Sequence, residues 1–392
     1  MTDLAAYMSE SIRNIMAKAY LNVLANPHEA RFVARMQKIF VSSERRRKVM
    51  LDKEGLEVPP FLIASIATTC NLQCKGCYAR KNGIVHTPST SLTPTPLPKR
   101  GDADANVDGQ DPSPLERGRG EADLLTAGQW HTIFSDAAAM GVSFCLLAGG
   151  EPLTQRAILE QAAEVKDIIF PVFTNATLIG PQYIDFFKHN LNIVPIVSLE
   201  GDATATDDRR GKGVYQRALL SMEMLHKEHL FFGTSITVTT ENYRKVTSLE
   251  YLQYLAGLGC RLVFFVEYVP FDESTQHLAF KDEHVEEMER LLEQRREEVK
   301  EMIFLSFPGD EKALDGCLAA GRGFFHIGPD GAAEPCPFSP FSDSNVATLG
   351  LKEALRSPLF TKIRAAKALG WEHTGGCTLY EHREEVEAML RN

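Results

Sequence analysis

Apolar residues recur along this chain at two spacings, and the alternation between them predicts the fold. Over residues 3–26 the apolar positions Leu4, Met8, Ile12, Ile15, Met16, Tyr20, Val23 and Leu24 share one helical face, and Asn26-Pro27 ends that helix. A second helix is expected over about 29–40, followed by a basic patch at Arg45, Arg46, Arg47 and Lys48. One reading is an amphipathic arm facing a partner or a membrane. The other is helices packed on the main domain with a solvated basic face, and the helix face is not basic enough to prefer the first.

Short apolar runs then alternate with helical patterns. Strands are expected over 61–66, 142–147, 168–173, 193–198, 232–239 and 262–270. Helices fill the intervals at about 126–140, 155–165, 181–190, 214–228 and 246–258, and a charged helix over 281–302 closes the series. Strands separated by helices form parallel β/α units. The pattern therefore predicts an α/β fold, a partial parallel (β/α)6 TIM-type barrel, with ligands at the C-terminal strand ends. The expected domains are an N-terminal helical segment over 1–58, the barrel over 59–304 and a small C-terminal α+β domain over 305–392. Residues 83–122 break the rhythm. They are rich in Pro, Ser, Thr and Gly with almost nothing to enter a core, so an inert surface insertion is expected there rather than a lid.

Composition narrows the class. The 392 residues are 44% hydrophobic and 24% charged, the balance of a globular protein. A net charge of −10 does not favour nonspecific nucleic-acid binding. No apolar run has the length of a membrane span, and the first residues lack a basic region followed by an apolar one. Eight cysteines without a secretion signal point to a reducing, cytoplasmic compartment and to metal rather than disulfides.

Three of those cysteines crowd into Cys70-Asn-Leu-Gln-Cys74-Lys-Gly-Cys77-Tyr78, directly after the first expected strand. Three thiolates can ligate three irons of a cubane cluster and leave the fourth iron open to a ligand that is not protein. Structural zinc, the alternative, wants four ligands, usually as paired cysteines, and neither the pairing nor a fourth ligand is visible. The loop resembles the signature of radical S-adenosylmethionine (radical SAM) enzymes. The resemblance implies a [4Fe–4S] cluster on Cys70, Cys74 and Cys77 whose open iron chelates SAM, reductive cleavage of SAM to a 5′-deoxyadenosyl radical, and hydrogen abstraction from a substrate. It also implies an electron donor such as flavodoxin or ferredoxin. Members often carry an aromatic residue against adenine just before the third cysteine. This chain has Gly76 there, and Tyr78 after the cysteine instead.

Further stretches at strand ends resemble the same family. Gly149-Gly150-Glu151-Pro152 looks like the motif that holds the SAM amino group. Thr174-Asn175 is similar to Thr-Asn-Gly, with Ala176 in the glycine position. Ser198-Leu-Glu200-Gly201 is similar to a motif for the SAM ribose or carboxylate, and Arg210 in Asp208-Arg-Arg-Gly211 suits a carboxylate. Taken singly, each is ordinary turn chemistry. Glu267 and Tyr268 are expected near the same mouth as substrate contacts, while Cys145 and Cys260 read as structural.

The tail adds Cys317, Cys336 and Cys377, with Asp330-Gly331 as a hairpin turn. Cys317 and Cys336 resemble the start of the SPASM and shorter twitch extensions of radical SAM enzymes, which carry auxiliary Fe–S clusters. Only three cysteines are present, so an auxiliary cluster here leaves a fourth position open or filled by His326, His373 or a carboxylate. Ordinary thiols or a Cys3His zinc site are the alternatives. The whole reads as an enzyme acting on a peptide or on a cofactor or pigment precursor. The rivals are a nonenzymatic Fe–S or zinc scaffold or sensor, and an enzyme using SAM as methyl donor.

Overall fold

The computed structural model describes residues 27–85, 124–308, 316–367, 370 and 377–391. The helix expected over 3–26, residues 86–122 of the Pro/Ser/Thr-rich stretch, and His373 lie outside the described residues. Among the described residues no helix is long and apolar enough to cross a membrane.

The strands are β1 (Phe61–Ala67), β2 (Phe144–Gly149), β3 (Phe170–Thr174), β4 (Ile193–Leu199), β5 (Gly233–Val238), β6 (Leu262–Glu267), β7 (Ile303–Phe307), β8 (His326–Ile327) and β9 (Ala333–Glu334). They form one sheet in the order β7-β6-β5-β4-β3-β2-β1-β8-β9. From β1 to β7 every neighbouring pair is parallel, and helices make the crossovers, as parallel pairing requires. Ala127–Met140 shows how local sequence sets such a helix. Thr126 caps it in a reciprocal box with Gln129, Gly141 at φ 100 ends it, and Trp130, Ile133, Phe134 and Ala137 form its buried face.

Side chains alternate across the strands. On β6, Val263 and Phe265 pack outward with the helices, whereas Leu262 and Phe264 face inward with Val194, Ile196, Ile303 and Leu305. The inner cluster is completed by Phe32, Val33, Met36 and Ile39, one stripe of the Pro27–Glu54 helix. This helix stops the barrel at the N-terminal strand ends, opposite the mouth. It also corrects the sequence expectation of a helix ending near residue 40. No glycine or proline interrupts 28–54, and the helix runs on to Gly55, at φ 62. The basic patch therefore lies within it. Arg46 pairs with Asp167 at 3.0 Å, and Arg47 donates to Gly141 O at 2.7 Å and Ser143 Oγ at 3.0 Å. The patch serves packing as well as solvation.

Two further corrections concern the C-terminal end. The charged helix spans Asp282–Glu298, and Ile303–Phe307 becomes a seventh parallel strand. The expected domain boundary at 304–305 falls inside that strand. The tail hairpin β8–β9 does not form a sheet of its own: β8 pairs parallel with β1, through Ile63↔His326 and Ala64↔Ile327. Its turn is as expected, with Gly331 at φ 88.

Candidate functional site

One cavity of about 1380 Å³ opens at the C-terminal ends of the strands. Its wall includes Cys70, Cys74 and Cys77, and also Cys317, Cys336 and Cys377. Cysteines some three hundred residues apart in sequence thus share one space, because β8–β9 pairs beside β1, whose C-terminal end leads into the first cysteine loop.

The first cysteine loop is held at every point. Gly150 N donates to Ala67 O at 2.7 Å and Glu151 N to Thr69 O at 2.8 Å, so the Gly-Gly-Glu turn is laced to the chain entering Cys70. A Cβ on Gly149 would lie 2.5 Å from Ala67 O, and one on Gly150 would lie 2.0 Å from Thr69 O. Only glycine permits that approach. Asn175 Nδ2 donates to Asn71 Oδ1 at 2.9 Å, and Asn71 Nδ2 to Thr177 Oγ1 at 2.8 Å. Lys75 N donates to Arg209 O at 2.9 Å, which docks the Ala203–Arg210 helix on the loop.

The charged groups form two buried knots. The Glu151 carboxylate, 1% exposed, accepts from Leu153 N, Thr174 Oγ1 and Asn175 N at 3.0, 2.7 and 2.8 Å. Burial raises its pKa and these donors oppose the rise. Glu200 lies behind the cavity wall. Its Oε1 accepts from Arg210 Nε at 2.8 Å and Nη2 at 2.6 Å, and from Arg209 Nη1. Arg210, which sequence reasoning paired with a ligand carboxylate, meets this one; burial would lower its pKa, but Glu200 and Cys74 hold it raised. Ser198 and Asn175 line the cavity, as do Arg209 and Thr237, which the sequence did not single out. Glu267 lines it too. Tyr268 packs over Gly76 instead.

Burial pushes the Cys70 thiol up to about 12 and raises Cys74 as well, with Arg210 and Arg209 opposing at Cys74. Unmetallated, these groups stay protonated, and a metal would displace the protons. In the tail, a hydrogen bond with Cys377 raises the Cys336 pKa, burial adds to it, and Cys317 is close enough to contribute. The two sets adjoin: Asn82 Nδ2 donates to Pro337 O at 2.7 Å, and the Tyr78 and Phe338 rings lie 5.3 Å apart. Among the described residues no three His, Cys, Asp or Glu side chains are placed to hold a single metal ion. A cubane offers each thiolate a different iron, so it does not require three thiols to converge on one point.

His326 is not the fourth ligand of the tail set. Its Nε2 is bonded to Ser65 Oγ at 2.8 Å and its Nδ1 to Glu334 Oε2 at 2.6 Å, and it is fully buried. Both ring nitrogens are occupied. Ser65 in turn bonds the Tyr78 hydroxyl, which also meets the Gly149 backbone. No sequence signal ties Ser65 to His326; the β1–β8 pairing brings them together.

Comparison with known proteins agrees with this geometry. The sequence profile of the radical SAM superfamily matches residues 64–252. AdoMet-dependent heme synthase of Methanosarcina barkeri is 24% identical over 286 residues, spanning 66% of this chain and 80% of that protein. The serine-type anaerobic sulfatase-maturating enzyme of Klebsiella aerogenes is 25% identical over 240 residues, spanning 57% of this chain and 51% of that protein. The fold matches Streptococcus suis SuiB bound to S-adenosylmethionine with a TM-score of 0.59 at 17% identity, over 82% of this chain and 71% of that one. The profile covers strands β1 to β5 and their crossovers, just under half of the chain, and over that stretch the chain matches the radical SAM superfamily; the likeness in fold extends beyond it.

Proposed function

We propose that Cys70, Cys74 and Cys77 hold a [4Fe–4S] cluster with SAM on its open iron, and that the enzyme abstracts hydrogen from a substrate bound in the same cavity. The cluster would supply one electron to SAM, whose sulfur–C5′ bond breaks to methionine and a 5′-deoxyadenosyl radical that takes a hydrogen atom from the substrate. The residues of the chain do the rest. Gly149 and Gly150 bring backbone against the cysteine loop, Glu151 and Asn175 lock the ends of β2 and β3 to it, and Arg210 with Glu200 sets the charge beside Cys74. The observation that carries the reading is three thiols on the wall of a large cavity at the strand ends. Radical SAM enzymes as a superfamily use this cluster and this cofactor.

Cys317, Cys336 and Cys377 are read as the ligands of an auxiliary Fe–S cluster in a twitch-like tail over 305–392, positioning substrate or taking an electron. Their shared cavity with the first set supports it. A peptide substrate and a cofactor or pigment precursor both remain consistent with the relatives, one named for heme synthesis and one for sulfatase maturation. An external one-electron donor of the flavodoxin or ferredoxin type completes the scheme.

The test is iron and sulfide per chain after anaerobic reconstitution, with 5′-deoxyadenosine release under dithionite, in the wild type and in a Cys70/Cys74/Cys77→Ala variant. About eight irons falling to about four, with loss of 5′-deoxyadenosine, is expected for two cubanes. About four falling to none removes the auxiliary cluster. Zinc in both proteins overturns the radical reading.

A further inference from the structure

Two rows of aromatic rings border the cavity, and neither is used by the chemistry described so far. The first runs across the strands. Phe173 lies 5.1 Å from Phe264, and Phe264 is stacked on Phe307 at 6.0 Å with 16° between the planes. Phe307 meets Phe61 at 6.2 Å, and Phe61 is stacked on Phe324 at 5.1 Å. The second row starts at Tyr78. Its ring meets Phe338 at 5.3 Å, Phe338 meets Phe271 at 6.2 Å, and Phe271 meets Tyr380 at 5.0 Å. Phe173, Phe264, Phe307 and Phe324 of the first row and Tyr78 and Phe338 of the second line the same cavity.

We propose that the substrate is a large flat conjugated ring carrying carboxylates, the chemistry of a porphyrin, bound between these two rows with a carboxylate on Lys281. This rests on the radical SAM reading and names the substrate class for it. Three features of the site converge. Aromatic faces prefer offset stacking or edge contact with other π systems, so two rows at one cavity recognise a ligand with two flat faces. The cavity exceeds by about 400 Å³ the upper end of the usual single-ligand range, leaving room for a second ligand beside SAM. The second row is held rigid: the Tyr78 hydroxyl is tied to Ser65, and Ser65 to the buried His326–Glu334 pair. A preformed wall lowers the ordering cost of binding.

The charge pattern sets the orientation. Lys281 lies on the cavity wall and makes no ion pair among the described residues. Asp282, Glu267 and Glu381 also line the wall, and its two other cations, Arg209 and Arg210, are both bonded to Glu200. General charge attraction therefore does not gather an anionic ligand here, and the carboxylate has to be met at Lys281 itself.

The experiment uses the full chain, reconstituted anaerobically, with deuteroporphyrin IX and its dimethyl ester as probes. Binding is read from the Soret shift and fluorescence quenching, and iron content and 5′-deoxyadenosine release are recorded on the same preparation. The expected result is micromolar binding of the free acid and about tenfold weaker binding of the ester. Lys281→Ala should bring the acid down to the level of the ester with iron content unchanged, and Phe338→Ala should weaken both. No binding of either probe to protein that retains iron and cleaves SAM overturns the proposal and leaves the radical reading intact. Equal binding of acid and ester, or no effect of Lys281→Ala, also overturns it. Probe binding with the expected pattern to protein that holds iron but never cleaves SAM supports the ring site and overturns the radical reading.

Discussion

The Tyr268 hydroxyl lies 2.6 Å from the point where a Cβ on Gly76 would sit. Gly76 has φ 62, so two independent constraints keep this position free of a side chain. The space beside Gly76 is filled from the end of β6, by a residue almost two hundred positions away.

Gly76→Ala should therefore damage the cysteine loop. The left-handed backbone alone costs an L-residue about 1–2 kcal/mol, and displacing Tyr268 adds to that. A lower Tm and less iron per chain are expected. Adding Tyr268→Ala in the same chain should recover the steric part and leave the backbone part. A Gly76→Ala protein with wild-type Tm and iron would show that the packing is wrong.

Asn175→Ala should loosen the same loop from the other side. It removes the donor to Asn71 Oδ1 and the acceptor of Thr177 N, bonds of 2.9 and 3.0 Å. Leaving such partly buried groups unpaired costs about 1–3 kcal/mol. Iron should be lost to a chelator several-fold faster than from the wild type, with helix content by circular dichroism unchanged.

Phe32→Ala separates stability from the site. Phe32 is 3% exposed and stacked on Phe231 at 4.4 Å, at the end of the barrel away from the cysteines. A buried Phe→Ala change costs about 3–5 kcal/mol. The urea midpoint should fall accordingly while iron per folded chain stays at the wild-type value. Loss of iron without loss of stability would contradict the separation.

Glu287 gives a pH test on a group that does not line the cavity. It accepts from Arg244 Nε and Nη2 at 2.9 and 2.7 Å and from Tyr243 Oη at 2.6 Å, and these bonds hold its carboxyl down at about 2. The pKa is depressed in the fold, so the stabilisation is present above the ordinary value of 4.5 and is lost as pH falls towards 2. The difference in urea midpoint between wild type and Glu287→Gln should be constant above pH 5 and shrink steadily below it. A difference that grows on acidification would reverse the assignment.

What was legible in the sequence depended on distance along the chain. The cysteine loop spans nine residues and follows an apolar run, so its place at a strand end could be read directly. The six strands from β1 to β6 were legible because buried parallel strands are continuous apolar runs. β7 was hidden because Ile303-Phe-Leu-Ser-Phe307 follows a charged helix with no turn signal between them. β8 and β9 have two residues each, too short for any periodicity. The bonds that join Ser65, His326 and Glu334 bridge about 260 positions, and only strand pairing reveals them. The true length of the first described helix was obscured by its arginines, which looked like a solvated end but reach back to Gly141 and Asp167.

The Pro27–Glu54 helix stops the far end of the barrel with Phe32, Val33, Met36 and Ile39, and this turns a tube into a well. Whatever settles deepest has to arrive first and depart last. Turnover in such a vessel follows a queue, so the two ligands proposed for it should show an obligatory order of addition, and an excess of the outer one should trap the inner one in place.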